Sequence, residues 1–146
     1  MRVFIAGIMQ GSRQENDLDS QSYRARITQA LITHLPAAEI VDPLALHPNS
    51  LSYNDTQVRT TFQDMTRLAG QADLVIAYVP QASMGTAIEM WTAHNAGKPI
   101  LVVTPLLHNW VVKYCASHIL PDLESLLAFI ENGSLTRLVD ASPPTD

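Results

Sequence analysis

Residues 72–99, ADLVIAYVPQASMGTAIEMWTAHNAGKP, constrain this chain more than any other stretch. Residues 73–79 form a nearly unbroken apolar run with no helical period, the pattern of a short strand covered on both faces and therefore of a parallel sheet. A turn over residues 80–85 leads into a helical stretch, 86–96, that stops at Gly97, a C-terminal glycine signal, before a further apolar run over 99–103. Strand, loop, helix and strand in this order make a crossover unit. In sheets built this way ligands sit at the carboxyl ends of the strands, where the loop meets the amino end of the next helix. Glu89 falls there, one turn beyond Gly85 and on the same helix face.

The rest of the chain repeats the alternation. Residues 2–8 read as a first strand and 11–21 as a polar, mobile loop that a ligand could order. Tyr23, Ile27, Ala30 and Leu31 recur at helical spacing until Pro36, and residues 39–41 make a brief second strand. Residues 42–55 read as a long loop on the edge that carries the site. Val58, Phe62, Met65, Leu68 and Ala69 define a second helix, with Asp55 or Thr56 as its cap. After the fourth strand, 108–117 and 122–132 read as helices, 135–139 as a weak extended piece, and the tail from Ala141 as frayed. The expected fold is a single-domain three-layer α/β sandwich over residues 1–140, its mainly parallel sheet having four to five strands.

Composition narrows the function. At 146 residues the chain fits one domain with a real core. No apolar run approaches the roughly 18 residues that span a bilayer, and the apolar start ends in Gly like a strand, so a cytoplasmic protein is expected. Nine Lys and Arg against fourteen Asp and Glu leave a net charge of -5 and no footprint for a polynucleotide. The single cysteine, Cys115, reads as core filler. The five histidines show no metal-ligand spacing, and GxSxG, Walker-type and GxGxxG motifs are missing, so no metal and no cofactor are expected.

Ser83-Met84-Gly85-Thr86 opens the helix that carries Glu89, where free backbone N–H groups and the helix dipole favour an anion or a sugar hydroxyl. The plain alternative makes Ser83 an N-cap and Gly85 a packing residue. Ala87, Ile88, Met90, Trp91 and Ala93 surround Glu89 with apolar neighbours, so its carboxylate is either buried or lines a pocket. Asp64, on the preceding helix, flanks the same strand; it either shares Glu89's cleft or lies on the polar side of its helix. Two carboxylates in different environments suit acid–base plus nucleophilic chemistry.

These pieces together resemble the nucleoside 2-deoxyribosyltransferase superfamily, which includes the 2'-deoxynucleoside 5'-phosphate N-hydrolases and the CMP hydrolases. The matching segments are Phe4-Ile5-Ala6-Gly7, Gln63-Asp64-Met65, Ala72 through Ala77, and Ser83-Met84-Gly85 through Glu89 to Gly97-Lys98. The resemblance implies a flavodoxin-like or Rossmann-like sheet. It implies that Glu89 attacks the anomeric carbon to form a covalent sugar ester, that Asp64 handles the proton of the base, and that Ser83, Gly85, Gly7, Phe4 and Asn109 surround the substrate. Serine at position 83 resembles the phosphate-using hydrolases, whereas Asn109 matches an asparagine that transferases lend to a neighbouring subunit's site. Phe4 stands where the family has a tyrosine, leaving Tyr23, Tyr53 or Tyr78 to supply a hydroxyl. Transfer of a sugar between nucleobases is expected, with hydrolysis of a nucleoside 5'-monophosphate or a non-catalytic nucleotide-binding role as alternatives. Substrates would be nucleosides or nucleotides and free nucleobases, with no membrane or polynucleotide partner; Trp91 and Trp110 suggest a self-associating surface, and the resemblance implies a homo-oligomer, at least a dimer, with shared sites.

Overall fold

The computed structural model describes residues 1–141, so the tail expected to fray, apart from Ala141, lies outside the described residues. Five strands, β1 (Arg2–Gly7), β2 (Glu39–Val41), β3 (Leu74–Tyr78), β4 (Ile100–Val103) and β5 (His118–Leu120), form one all-parallel sheet in the order β2-β1-β3-β4-β5. This is the flavodoxin-like order, whose reversal point lies between β1 and β3. The register sets Gly7 beside Tyr78 at that point, so the two carboxyl ends open side by side.

The helices are α1 (Ser22–His34), α2 (Pro43–Leu46), α3 (Asp55–Gln71), α4 (Met84–Asn95), α5 (Trp110–Cys115), α6 (Leu123–Glu131) and α7 (Ser134–Asp140). Alternate strand residues feed two cores. Phe4, Ala6, Val75, Ala77 and Val102 pack with Met65 and Ala69 of α3, Met90 and Ala93 of α4, and Val112 and Cys115 of α5. Val3, Ile5, Leu74, Ile76 and Leu101 pack with Tyr23, Ile27 and Leu31 of α1, Leu126 and Ile130 of α6, and Leu135 of α7. Each large side chain fully withdrawn from water in these layers contributes about 1.5–3 kcal/mol of burial.

The fold departs from these expectations in four places. Residues 135–139 are helical, not extended: the φ of +75° at Gly133 turns the chain, and Leu135, Leu138 and Val139, at helical spacing, pack on the α1/α6 face. The fifth strand is β5 instead, three residues long and recognisable only by its ladder with β4. Asn54, not Asp55 or Thr56, caps α3: its Oδ1 accepts from Gln57 N at 3.0 Å and the Gln57 side chain accepts from Asn54 N at 3.0 Å, a reciprocal capping box. The expected long loop of residues 42–55 also holds α2 and a 3-10 turn, Ser50–Ser52. Asp73, at the start of β3, accepts from Arg2 N at 2.6 Å and ties the entry of β3 to β1.

Candidate active site

A cavity of about 510 Å³ opens at the carboxyl ends of β1 and β3. Its floor and one wall come from Gly7 and from Ser83, Gly85, Thr86 and Glu89 at the start of α4; Val58, Phe62 and Met65 of α3 form the opposite wall. His47, Leu51 and Tyr53, from the segment between β2 and α3, close one end. Two surface segments meet across the mouth, where Asn16 Nδ2 donates to the Leu51 carbonyl at 2.8 Å. Gln81, just after β3, donates to Asp19 Oδ2 at 2.7 Å and anchors the first of them.

Ser83 is the N-cap of α4. Its Oγ accepts from Thr86 Oγ1 at 3.0 Å and, more distantly, from Thr86 N at 3.5 Å, so the serine is held by a buried threonine and still lines the cavity. Nothing lies within 4 Å of where a Cβ on Gly85 would stand; the glycine leaves the space before the helix end open. Gly7 is the opposite case. A Cβ there would collide with the ring and hydroxyl of Tyr23, which packs against the strand end and donates to the Ile8 carbonyl at 3.1 Å.

Glu89 is half-buried, and burial pushes its carboxyl up from the ordinary 4.5 to about 8, with Arg24 pulling the other way. Arg24 is almost fully buried in the adjoining floor. Its guanidinium donates to the carbonyls of Ile5 at 2.9 Å and Gly7 at 3.2 Å, to Gln21 Oε1 at 2.7 Å and to Asp42 Oδ1 at 2.8 Å. Asp42 Oδ1 also accepts from Leu44 N at 3.0 Å as the N-cap of α2. One cation thus joins the end of β1, the start of α1 and the segment that carries His47 and Tyr53. The Tyr23 phenol is raised above its ordinary value, mainly by burial; Arg24 opposes this and the charges of Asp42 and Glu89 add to it.

Of the residues expected at the site, Glu89, Ser83, Gly85 and Gly7 line this one cavity. Three do not. Phe4 is wholly buried in the core beneath α3 and α4, because an even-numbered position on β1 faces that layer. Asp64 is outside the cavity wall, half exposed and paired with Arg67 at 3.4 Å; it projects about 100° round the helix from Met65, which faces inward. Asn109 caps α5, accepting from Val111 N at 2.9 Å and Val112 N at 3.2 Å, and borders a neighbouring cavity of about 400 Å³ that shares Ser83 and Met84. Arg24 and His47 are additions to the sequence reading. Arg24 was detectable as a charge on the buried Ile27 and Leu31 stripe; nothing in the local pattern marks His47.

Tyr78 stacks on Tyr23 with ring centroids 4.3 Å apart, so of the three tyrosines only Tyr53 lines the cavity. Among the described residues no group of three or more His, Cys, Asp or Glu could hold a metal ion, and no helix is long and apolar enough to cross a membrane.

No protein-family profile and no curated protein sequence matches the chain. Solved structures do. The 2-deoxyribosyltransferase of Bacillus psychrosaccharolyticus superposes with a TM-score of 0.66 at 13% identity, over 87% of this chain and 90% of that one. The CMP N-glycosidase of Clostridium botulinum gives 0.53 at 19% identity, over 90% of this chain and 98% of that one. This chain has the fold of both enzymes. A conserved protein from Enterococcus faecalis V583 shares it too, with a TM-score of 0.59 at 15% identity over 90% and 97% of the two chains. One of these neighbours is thus named for transferring a deoxyribosyl group and another for cleaving the N-glycosidic bond of CMP.

Proposed function

We propose that this protein breaks the N-glycosidic bond of a nucleoside-type substrate, with Glu89 as nucleophile, and passes the sugar to a second nucleobase. The observation that carries the reading is Glu89 itself: a carboxyl at the reversal point of the sheet, in a cavity of about 510 Å³, beside the amino end of α4. That volume falls within the range of small-molecule sites.

The chemistry follows from the bond. Breaking it builds positive charge at C1', which an adjacent carboxylate stabilises and then traps as an ester, as in retaining glycosidases. A carboxyl held protonated by burial gains most from that developing charge, which lowers the cost of ionising it. The sugar's 5' end would lie toward Ser83 and Gly85 and the base toward His47, Tyr53 and Phe62. If a base attacks the ester the protein is a transferase; if water does, a hydrolase.

Ser83 favours the second reading, hydrolysis of a nucleoside 5'-monophosphate. Its hydroxyl and the α4 N–H groups suit a phosphate, which an acidic side chain would repel. Trp91, which clusters with the rings of His94 and Tyr114, and the largely exposed Trp110 support self-association, which sedimentation would report. Incubation with deoxyinosine plus adenine, and separately with dCMP or dGMP, tests the proposal by chromatography. A new nucleoside supports transfer and a free base with sugar phosphate supports hydrolysis. No cleavage of any substrate contradicts both.

A further inference from the structure

Among the described residues one carboxyl group lines the cavity, and the leaving base still needs a proton. The titratable side chains among its described lining residues are Glu89 of α4 and the pair His47 and Tyr53. Arg24 and Tyr23 lie behind the floor, and Asp64 points outside. His47 is fixed from both sides. Its backbone N–H donates to the Pro43 carbonyl at 2.9 Å, closing α2, whose N-cap Asp42 is gripped by Arg24. Its Nδ1 lies 2.9 Å from the Tyr53 hydroxyl, with the two rings edge to face.

We propose that His47, oriented by Tyr53, is the acid that protonates the departing base and the base that activates the sugar acceptor. This rests on the N-glycosidic reading of the site. The Nδ1 contact leaves Nε2 without a hydrogen-bond partner among the described residues and available to a ligand. A tyrosine hydroxyl is both donor and acceptor, so it serves the neutral ring, whose Nδ1 accepts, and the imidazolium, whose Nδ1–H donates. A carboxylate in its place would favour only the cation.

The proton count closes. As the bond from C1' to the base nitrogen breaks, its electron pair leaves with the base, His47 Nε2 gives that base a proton, and a Glu89 oxygen bonds C1'. In the second half, the oxygen of water or the nitrogen of the incoming base bonds C1', its proton returns to Nε2, and the ester pair returns to the Glu89 carboxylate.

The test compares the natural substrate that wild type cleaves with a 4-nitrophenyl glycoside of the same sugar, whose leaving group departs without a proton. In kcat/KM, which reports formation of the Glu89 ester alone, His47→Gln should lose about 10²–10⁴-fold on the natural substrate and less than about fivefold on the nitrophenyl glycoside. Tyr53→Phe should show the same split at smaller size, and Asp64→Asn should stay within about threefold of wild type on both. Equal losses on both substrates for His47→Gln, or no loss on either, overturn the proposal. So does an Asp64→Asn loss confined to the natural substrate, which would move the proton to Asp64. If wild type cleaves neither substrate, the N-glycosidic reading fails first and the role of His47 falls with it.

Discussion

Arg24 donates a 2.8 Å hydrogen bond to Asp42, with side-chain exposures of 3% and 14%. The same guanidinium is the charge that restrains the carboxyl of Glu89. Structure and electrostatics of the site therefore depend on one cation. Arg24→Met should destabilise the protein by about 3 kcal/mol, because it leaves Asp42 and two strand carbonyls without their donor. It should also raise the Glu89 value above about 8. Urea unfolding and a pH titration of the nucleophile check the two effects.

Glu89 couples stability to pH in a defined direction. Its folded value of about 8 lies above the ordinary 4.5, so between these values the folded chain holds a proton that the unfolded chain has released. Stability from this group is complete below about pH 4.5 and is lost as the pH rises through 8. Glu89→Gln removes the titration. The variant should match wild type at pH 5 and exceed it by about 2 kcal/mol at pH 9, less than the full shift implies because the carboxyl opens on the cavity. Thermal melts at the two pH values read this out.

The same group shapes the rate. With a leaving group that needs no proton, only ionisation of Glu89 remains to be titrated, so kcat/KM should climb about tenfold per pH unit and flatten above about 8. A flat profile from pH 6 to 9 would contradict this.

The two glycines of the cavity should answer oppositely to alanine. Gly7→Ala drives a methyl into the Tyr23 ring and should cost about 1–3 kcal/mol of stability. Gly85→Ala meets no protein atom and replaces a helix glycine, so it should leave stability unchanged or raise it by up to about 1 kcal/mol. Its methyl enters the cavity beside Ser83, and kcat/KM should fall about tenfold or more. Melting curves and steady-state kinetics on both variants separate folding from binding.

The course of the chain was largely legible because its signals are local. The apolar run of β3, the Gly97 stop and the stripe of α1 each specify their element without reference to the rest. β5 escaped because three residues carry no period, and α7 because a seven-residue segment of mixed polarity fits strand and helix alike. At the site, Glu89, Ser83 and Gly85 could be placed from the strand-to-helix pattern, which fixes where they face, and Gly7 through the resemblance of the first strand. Asp64 could not: a single helix position separates the inward face of Met65 from the outward face, and spacing alone does not choose. His47 lies in a segment whose course depends on Arg24 reaching Asp42 across 18 positions of sequence, a contact no local pattern encodes.

A covalent sugar on Glu89 is the intermediate on which the proposed mechanism depends. Wild type mixed with its substrate, quenched in acid and measured as intact protein, should gain the mass of one anhydro-sugar, or sugar phosphate, and digestion should place it on the peptide containing Glu89. Glu89→Gln should show neither adduct nor turnover. Turnover without an adduct on that peptide, together with turnover retained in Glu89→Gln, would contradict the account.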